Sequence, residues 1–268
     1  VAGKIRGFQE SGELSFPADY SPENAMKAAW LALQGVTDKE GNRALEVCTR
    51  DSIANALLEM VVHGLNPMKK QCYFIAYGKQ LQLSISYFGY MHLAKTVDPD
   101  IEDIVADVVY EGDVFAYQKV RGRTVISQHE QKLDNVRKDK IVAAYCSIIR
   151  KGDRESSTVM TIDEIKQAWM QSRTNPVDNN GGIKAGSTHG KFTAEMAKKT
   201  VINRACKSVI NASSDRTLLI KTFHQTQDEE EENAVQEEIQ KNANRQMFEL
   251  DEQTGEVIPS ENTEEEDF

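Results

Sequence analysis

The chain has no apolar run approaching the roughly 18 residues that a membrane-spanning helix needs, and no signal-peptide pattern at its start. A helical membrane protein is thereby excluded from the classes to weigh. The first residue is Val1 rather than methionine, so a few residues are expected to be missing. Cysteine is scarce: Cys48, Cys72, Cys146 and Cys206 lie far apart, with no pair at metal-ligand spacing. That pattern argues against a zinc module or a disulfide scaffold and for reduced, buried thiols in a cytosolic protein. The five histidines are dispersed and form no ligand motif; His63 is read as capping the C-terminus of a helix. There is also no internal repeat.

The formal net charge of −10 is unevenly spread. Residues 228–268 hold 16 of the 42 acidic side chains but only Lys241 and Arg245 among the 32 basic ones, a net of −14. The other 227 residues therefore carry a net of +4. A segment so charged and so poor in aromatics repels itself and is expected to be largely disordered. The division expected is a flexible segment at 1–20, one folded domain at 21–213, a connecting segment at 214–227 and the acidic tail at 228–268.

Within the domain, Ser21 followed by Pro22 marks an N-cap and first helical residue for a helix to about Gln34. Residues 35–48 read as a polar loop. A second helix spans 51–63, with Ile53, Leu57, Met60 and Val61 on one face and Gly64 as its stop. Asn66-Pro67 breaks the chain, and two strands, 73–77 and 81–85, flank a turn at Gly78-Lys79. Leu81, Leu83 and Ile85 face one way, Gln82, Ser84 and Ser86 the other. A short helix over 87–96 follows. Strands are predicted at 104–110, 114–120, 124–130, 141–150 and 156–160, forming an antiparallel meander. Thr161 to Glu164 is a capping-box pattern for a helix to about Gln171. The Gly- and Asn-rich stretch 172–190 reads as a mobile loop, and the last helix covers 192–212. The order of elements indicates a single α+β domain with about five helices.

On a helical wheel, Ala194, Ala197, Val201, Ala205 and Ala212 of the last helix form a slim packing face. Lys199, Asn203 and Lys207 stack at i, i+4 and i+8, beside Arg204 and Asn211, with Lys191 and Lys198 on the other flank. Glu195 is the lone acid among five basic residues from Lys191 to Lys207. A face serving solubility alone mixes signs; an unbalanced basic stripe is the footprint of a phosphate backbone. Lys184 beside the Gly-rich loop, Lys69, Lys70 and Lys79 around the hairpin, and Arg121 and Arg123 add positive charge. Tyr87, Tyr90 and Phe192 offer aromatic surfaces near it, although aromatics at helix starts more often serve the core.

Nucleotide hydrolysis is rejected. Residues 181–188 mimic a phosphate loop in glycine spacing but place Ser187 where its lysine belongs, and Gly190-Lys191 is followed by Phe192. Glu164-Ile165-Lys166 matches an element of one nuclease class that normally lies on a strand, whereas Glu164 is explained by the capping box. Asp98, Asp100, Glu102 and Asp103 are compatible with a magnesium ion, but a turn between helix and strand accounts for them better.

The hairpin followed by Tyr87-Phe88-Gly89-Tyr90, together with the block EMAKKTVINRACK at 195–207, resembles the RecT family of phage and prophage single-strand annealing proteins. The likeness covers about 20–213. Ser86 departs from it where glycine is expected, and Lys95 where arginine is frequent. The resemblance implies an ATP-independent recombinase, not an enzyme, that needs no cofactor and works in the cytoplasm of a bacterial host. It implies single-stranded DNA and an annealed duplex as ligands, and homo-oligomers in rings or helical filaments. An exonuclease and the host single-strand-binding protein are its implied partners. Expected DNA contacts are Lys79, Tyr87, Lys184, Lys191, Lys198, Lys199, Arg204 and Lys207. A metal-dependent nuclease and a passive single-strand protector stay open as alternatives. The acidic tip ending in Phe268 is similar to that of bacterial single-strand-binding proteins; solvating disorder and moderation of the protein's own basic surface both remain readings of the tail.

Overall fold

Ser21 opens the first helix, α1 (Pro22–Gln34), by accepting the Asn24 N–H at 3.3 Å, as its place before a proline leads one to expect. The computed structural model describes residues 20–171, 175–178 and 180–213, with Phe16 and a few isolated backbone positions outside them. The second expected helix is α3 (Arg50–Val62), capped by Thr49 and ended by His63, whose ring Nδ1 lies 2.9 Å from the Glu59 carbonyl oxygen. Between them the expected polar loop contains a single helical turn, α2 (Ala44–Val47). Ala44 is wholly buried and its N–H reaches the Val36 carbonyl at 2.8 Å, so a tertiary contact orders this turn.

Strands β1 (Cys72–Tyr77) and β2 (Gln80–Ile85) form the hairpin, with Tyr77 opposite Gln80 and Gly78 at a φ of +57°. The alternation of β2 is that of the sequence: Leu81, Leu83 and Ile85 are buried. Helix α4 (Tyr87–Val97) starts at Ser86, whose hydroxyl accepts the Gly89 N–H at 3.2 Å and donates to the Lys70 carbonyl at 2.6 Å. A Cβ on Gly89 would collide with the Gln71 carbonyl, so only glycine lets the helix lie this close to the hairpin.

The large sheet is antiparallel and contains β3 (Ile101–Tyr110), β4 (Val114–Val120), β5 (Arg123–Glu130), β6 (Ile141–Arg150) and β7 (Arg154–Thr161). Its spatial order is β3-β6-β7-β5-β4, not the sequential order of a simple meander. The two hairpins, β4–β5 and β6–β7, turn at Arg121-Gly122 and Gly152-Asp153, all four at positive φ. The 131–140 connection then lets β6 return beside β3, its pairing running from Ile101 opposite Arg150 to Tyr110 opposite Ile141. Asp113 draws the start of β4 back toward β3 by accepting from Tyr110 N at 2.9 Å, Gln131 Nε2 at 3.1 Å and Asn135 Nδ2 at 2.9 Å.

Helix α5 (Ile162–Met170) follows β7, and a short α6 (Thr188–Lys191) precedes the long α7 (Thr193–Asn211). The stretch expected as an open loop is folded where it is described: Val177 is buried and bridges Ile183, and Asp178 Oδ1 accepts the N–H groups of Asn180 and Gly182. Ala197, Val201 and Ala205 of α7 are buried as the wheel predicts, whereas Ala212 beyond the helix is exposed. These small residues bring α7 onto β3 and β6, and α4 packs across it, in one core that extends to α1. All four cysteines are buried and free. No helix among the described residues is long and apolar enough to cross a membrane. The segments at 1–19 and 214–268 lie outside the description, apart from those isolated positions and the paired strands β8 (Glu249–Leu250) and β9 (Val257–Ile258).

Candidate nucleic-acid interface

Helix α5 is fixed at its start by the capping box: Thr161 Oγ1 accepts the Glu164 N–H at 3.3 Å, and Glu164 Oε2 accepts the Thr161 N–H at 2.8 Å. Ile165 and Trp169, one turn apart, are buried against the body. Trp169 Nε1 donates to Thr200 Oγ1 at 2.9 Å, and that hydroxyl donates to the Met196 carbonyl at 2.8 Å. This chain of hydrogen bonds, with the T-shaped contact of Trp169 and His189 at 4.6 Å, holds α5 at a set distance from α7.

The opening between them is a groove of about 540 Å³. Lys199, Arg204 and Lys207 line it from α7; Glu164 and Gln167 line it from α5, with Gln171 just past the end of that helix. Asn203, on the same face as Lys199 and Lys207, lies at the floor and is 7 % exposed. One carboxylate faces the three cations. Hydrogen bonds from Thr161 hold the Glu164 carboxyl below its usual range, and the Arg204 charge adds to this. Glu164 is therefore engaged with the helix start, and it sits on a helix, not on the strand that the nuclease element requires. Lys207 Nζ stands 5.3 Å from the centre of the Tyr90 ring, a cation–π contact between its ammonium group and α4.

The eight side chains expected at DNA do not all converge. Lys199, Arg204 and Lys207 share the groove. Lys198 forms an ion pair with Glu195 at 2.7 Å, so the acid read from the sequence as alone compensates one of its basic neighbours. Tyr87 lies near that pair: burial raises its phenol pKa, and the Glu195 charge adds to the rise. Its ring lies tilted by 33° against exposed Phe88, with centroids 4.0 Å apart. Lys191 is exposed at the end of α6 beside Phe192, itself 59 % exposed. Lys184 donates from Nζ to the Asn175 carbonyl at 2.6 Å and ties down the loop. Lys79 is at the hairpin turn, in a depression shared with Asp38, Glu40 and Glu46. The whole of β2, roughly 20 Å at the usual rise, separates it from α4.

Sequence reading missed the α5 wall. Its signal was present: Glu164, Gln167 and Gln171 recur at i, i+3 and i+7, opposite the buried Ile165 and Trp169. The acidic turn before β3 is held by bases: Asp98 pairs with Arg150 at 2.7 Å and Asp100 with Arg154 at 2.8 Å. Among the described residues no three His, Cys, Asp or Glu side chains are grouped so as to hold a metal ion.

No curated protein matches the chain. A family model described as RecT family matches residues 23–245, a span that takes in the hairpin, α4, both walls of the groove and part of the acidic tail. By that match the chain belongs to the RecT family, whose members anneal single-stranded DNA in phage recombination.

Proposed function

We propose that the α5–α7 groove carries single-stranded DNA and that the protein anneals complementary strands there without nucleotide hydrolysis. The observation that carries this reading is the alignment of Lys199, Arg204 and Lys207 along one groove in a chain of this family. Two DNA strands repel through their phosphates; cations along a groove neutralise part of that charge and release counterions. Each stacked base-pair step then contributes about 1.4 kcal/mol, so pairing itself drives the reaction. Subunits line up along the strand as rings or filaments. An exonuclease supplies the single strand, and the host single-strand-binding protein hands it over. Lys191, Phe192 and Tyr87 extend the contact beyond the groove.

The test is annealing of complementary labelled oligonucleotides by the full chain, without ATP and with or without magnesium. Faster pairing with strand length unchanged is expected. Shortened strands would reveal a nuclease, and binding without faster pairing a passive protector. Lys199→Ala is expected to lower affinity and to reduce the slope of log affinity against log salt by about 0.7, the loss of one single-strand phosphate. An unchanged slope removes Lys199 from the contact.

A further inference from the structure

Resting on that reading, we propose that the groove takes a nucleobase edge as well as phosphate, and that Asn203 receives it. Asn203 is 7 % exposed, and its Oδ1 is buried with no hydrogen-bond partner among the described residues. Buried acceptors are rarely left so, and one at the floor of a binding groove calls for a donor from the ligand. The nearby fixed donors are committed elsewhere: the Trp169 N–H to Thr200, and the Thr200 hydroxyl to the Met196 carbonyl.

The identity of the donor follows from the chemistry of DNA. Its phosphates and deoxyribose oxygens are acceptors only; a 2′-hydroxyl, which donates, belongs to RNA. Within a DNA strand the N–H donors are on the bases: the exocyclic amines and the imino groups. A phosphate meets Lys199, Arg204 and Lys207 but offers nothing to Asn203 Oδ1. Adenine fits best, because its N6 amine donates to Oδ1 while its N7 accepts from the amide nitrogen of the same side chain. Oδ1 is shielded from solvent while Asn203 lines the groove, and χ2 of asparagine is a soft torsion, so on this proposal the amide turns to meet the base. One base per subunit is thus turned inward and must leave before it can pair, while its neighbours stay available.

The experiment compares binding of the full chain to oligo-dA and to an oligomer of the same length built from 2′-deoxynebularine. That base lacks only the N6 amine. Affinities are measured by fluorescence anisotropy across a salt series. Wild type should bind the amine-bearing strand roughly three- to tenfold more tightly, the effect of one hydrogen bond. Asn203→Leu, close in volume, should bring the ratio to about 1 and leave the salt slope unchanged. Equal affinities of wild type for the two strands, with a normal salt slope, overturn the base contact and leave the DNA groove standing; this arm needs no variant to fold. A ratio that survives in Asn203→Leu overturns the assignment to Asn203. Absence of salt-dependent binding to either strand overturns the groove reading itself.

Discussion

Glu59 on α3 is a carboxyl whose environment opposes its charge. Its Oε1 is buried without a hydrogen-bond partner among the described residues, and burial pushes its pKa up to about 7. Nearby Cys72, fully enclosed, is raised by the same loss of solvent and then by the Glu59 charge. The folded state therefore binds a proton at Glu59 more tightly than the unfolded chain, where the value is near 4.3. The stability it confers is complete below that unfolded value and is lost as pH rises through about 7. Thermal midpoints should accordingly fall between pH 5 and pH 8. Glu59→Gln removes the titration, so its midpoint should vary less over this window and exceed wild type at pH 8, by on the order of 1–3 kcal/mol of stability. A variant with the same pH dependence as wild type shows that another group governs it.

At the scale of the element, what the sequence makes legible is what neighbouring residues decide among themselves. Ser21-Pro22, the Thr161–Glu164 box and Gly78-Lys79 act within four residues, and each ends or begins an element where expected. Contacts between distant segments were hidden. The return of β6 beside β3, the ordering of α2 by Val36 and the bridge from Val177 to Ile183 leave no mark on local periodicity. The site divides in the same way: the cationic stripe of α7 was visible, but its opposing wall was not. Two predictions separate these levels. Gly89→Ala should destabilise the fold by about 2 kcal/mol in denaturant melts, because its methyl meets backbone, which cannot rotate away. A loss under 0.5 kcal/mol would show that α4 can shift outward. Lys198 and Lys199 are neighbours in sequence, yet Lys198 is paired with Glu195 and stands outside the groove that Lys199 lines. Salt titrations should therefore show a smaller slope change for Lys198→Ala than for Lys199→Ala.

For the whole molecule the relevant quantity is the field that an approaching strand meets. Beyond a Debye length, about 10 Å at 0.1 M salt, a polyanion senses the summed charge more than any groove. That sum is −10 with residues 228–268 and +4 without them. The tail also starts 17 residues after α7 ends, so its charge stays tethered to the helix that lines the groove. On the proposed reading its repulsion slows the encounter, whereas the contacts proposed between α5 and α7 are short-ranged. Removing 228–268 should thus raise the association rate several-fold at 50 mM salt and leave dissociation nearly unchanged. Because the effect is screened, the two proteins should converge as salt approaches 0.5 M. A truncated chain that instead dissociates more slowly, with no change in association, would mean that the tail competes within the groove rather than acting from a distance. Stopped-flow binding of a labelled oligonucleotide across the salt series distinguishes these outcomes, since long-range repulsion acts on arrival and direct competition on residence.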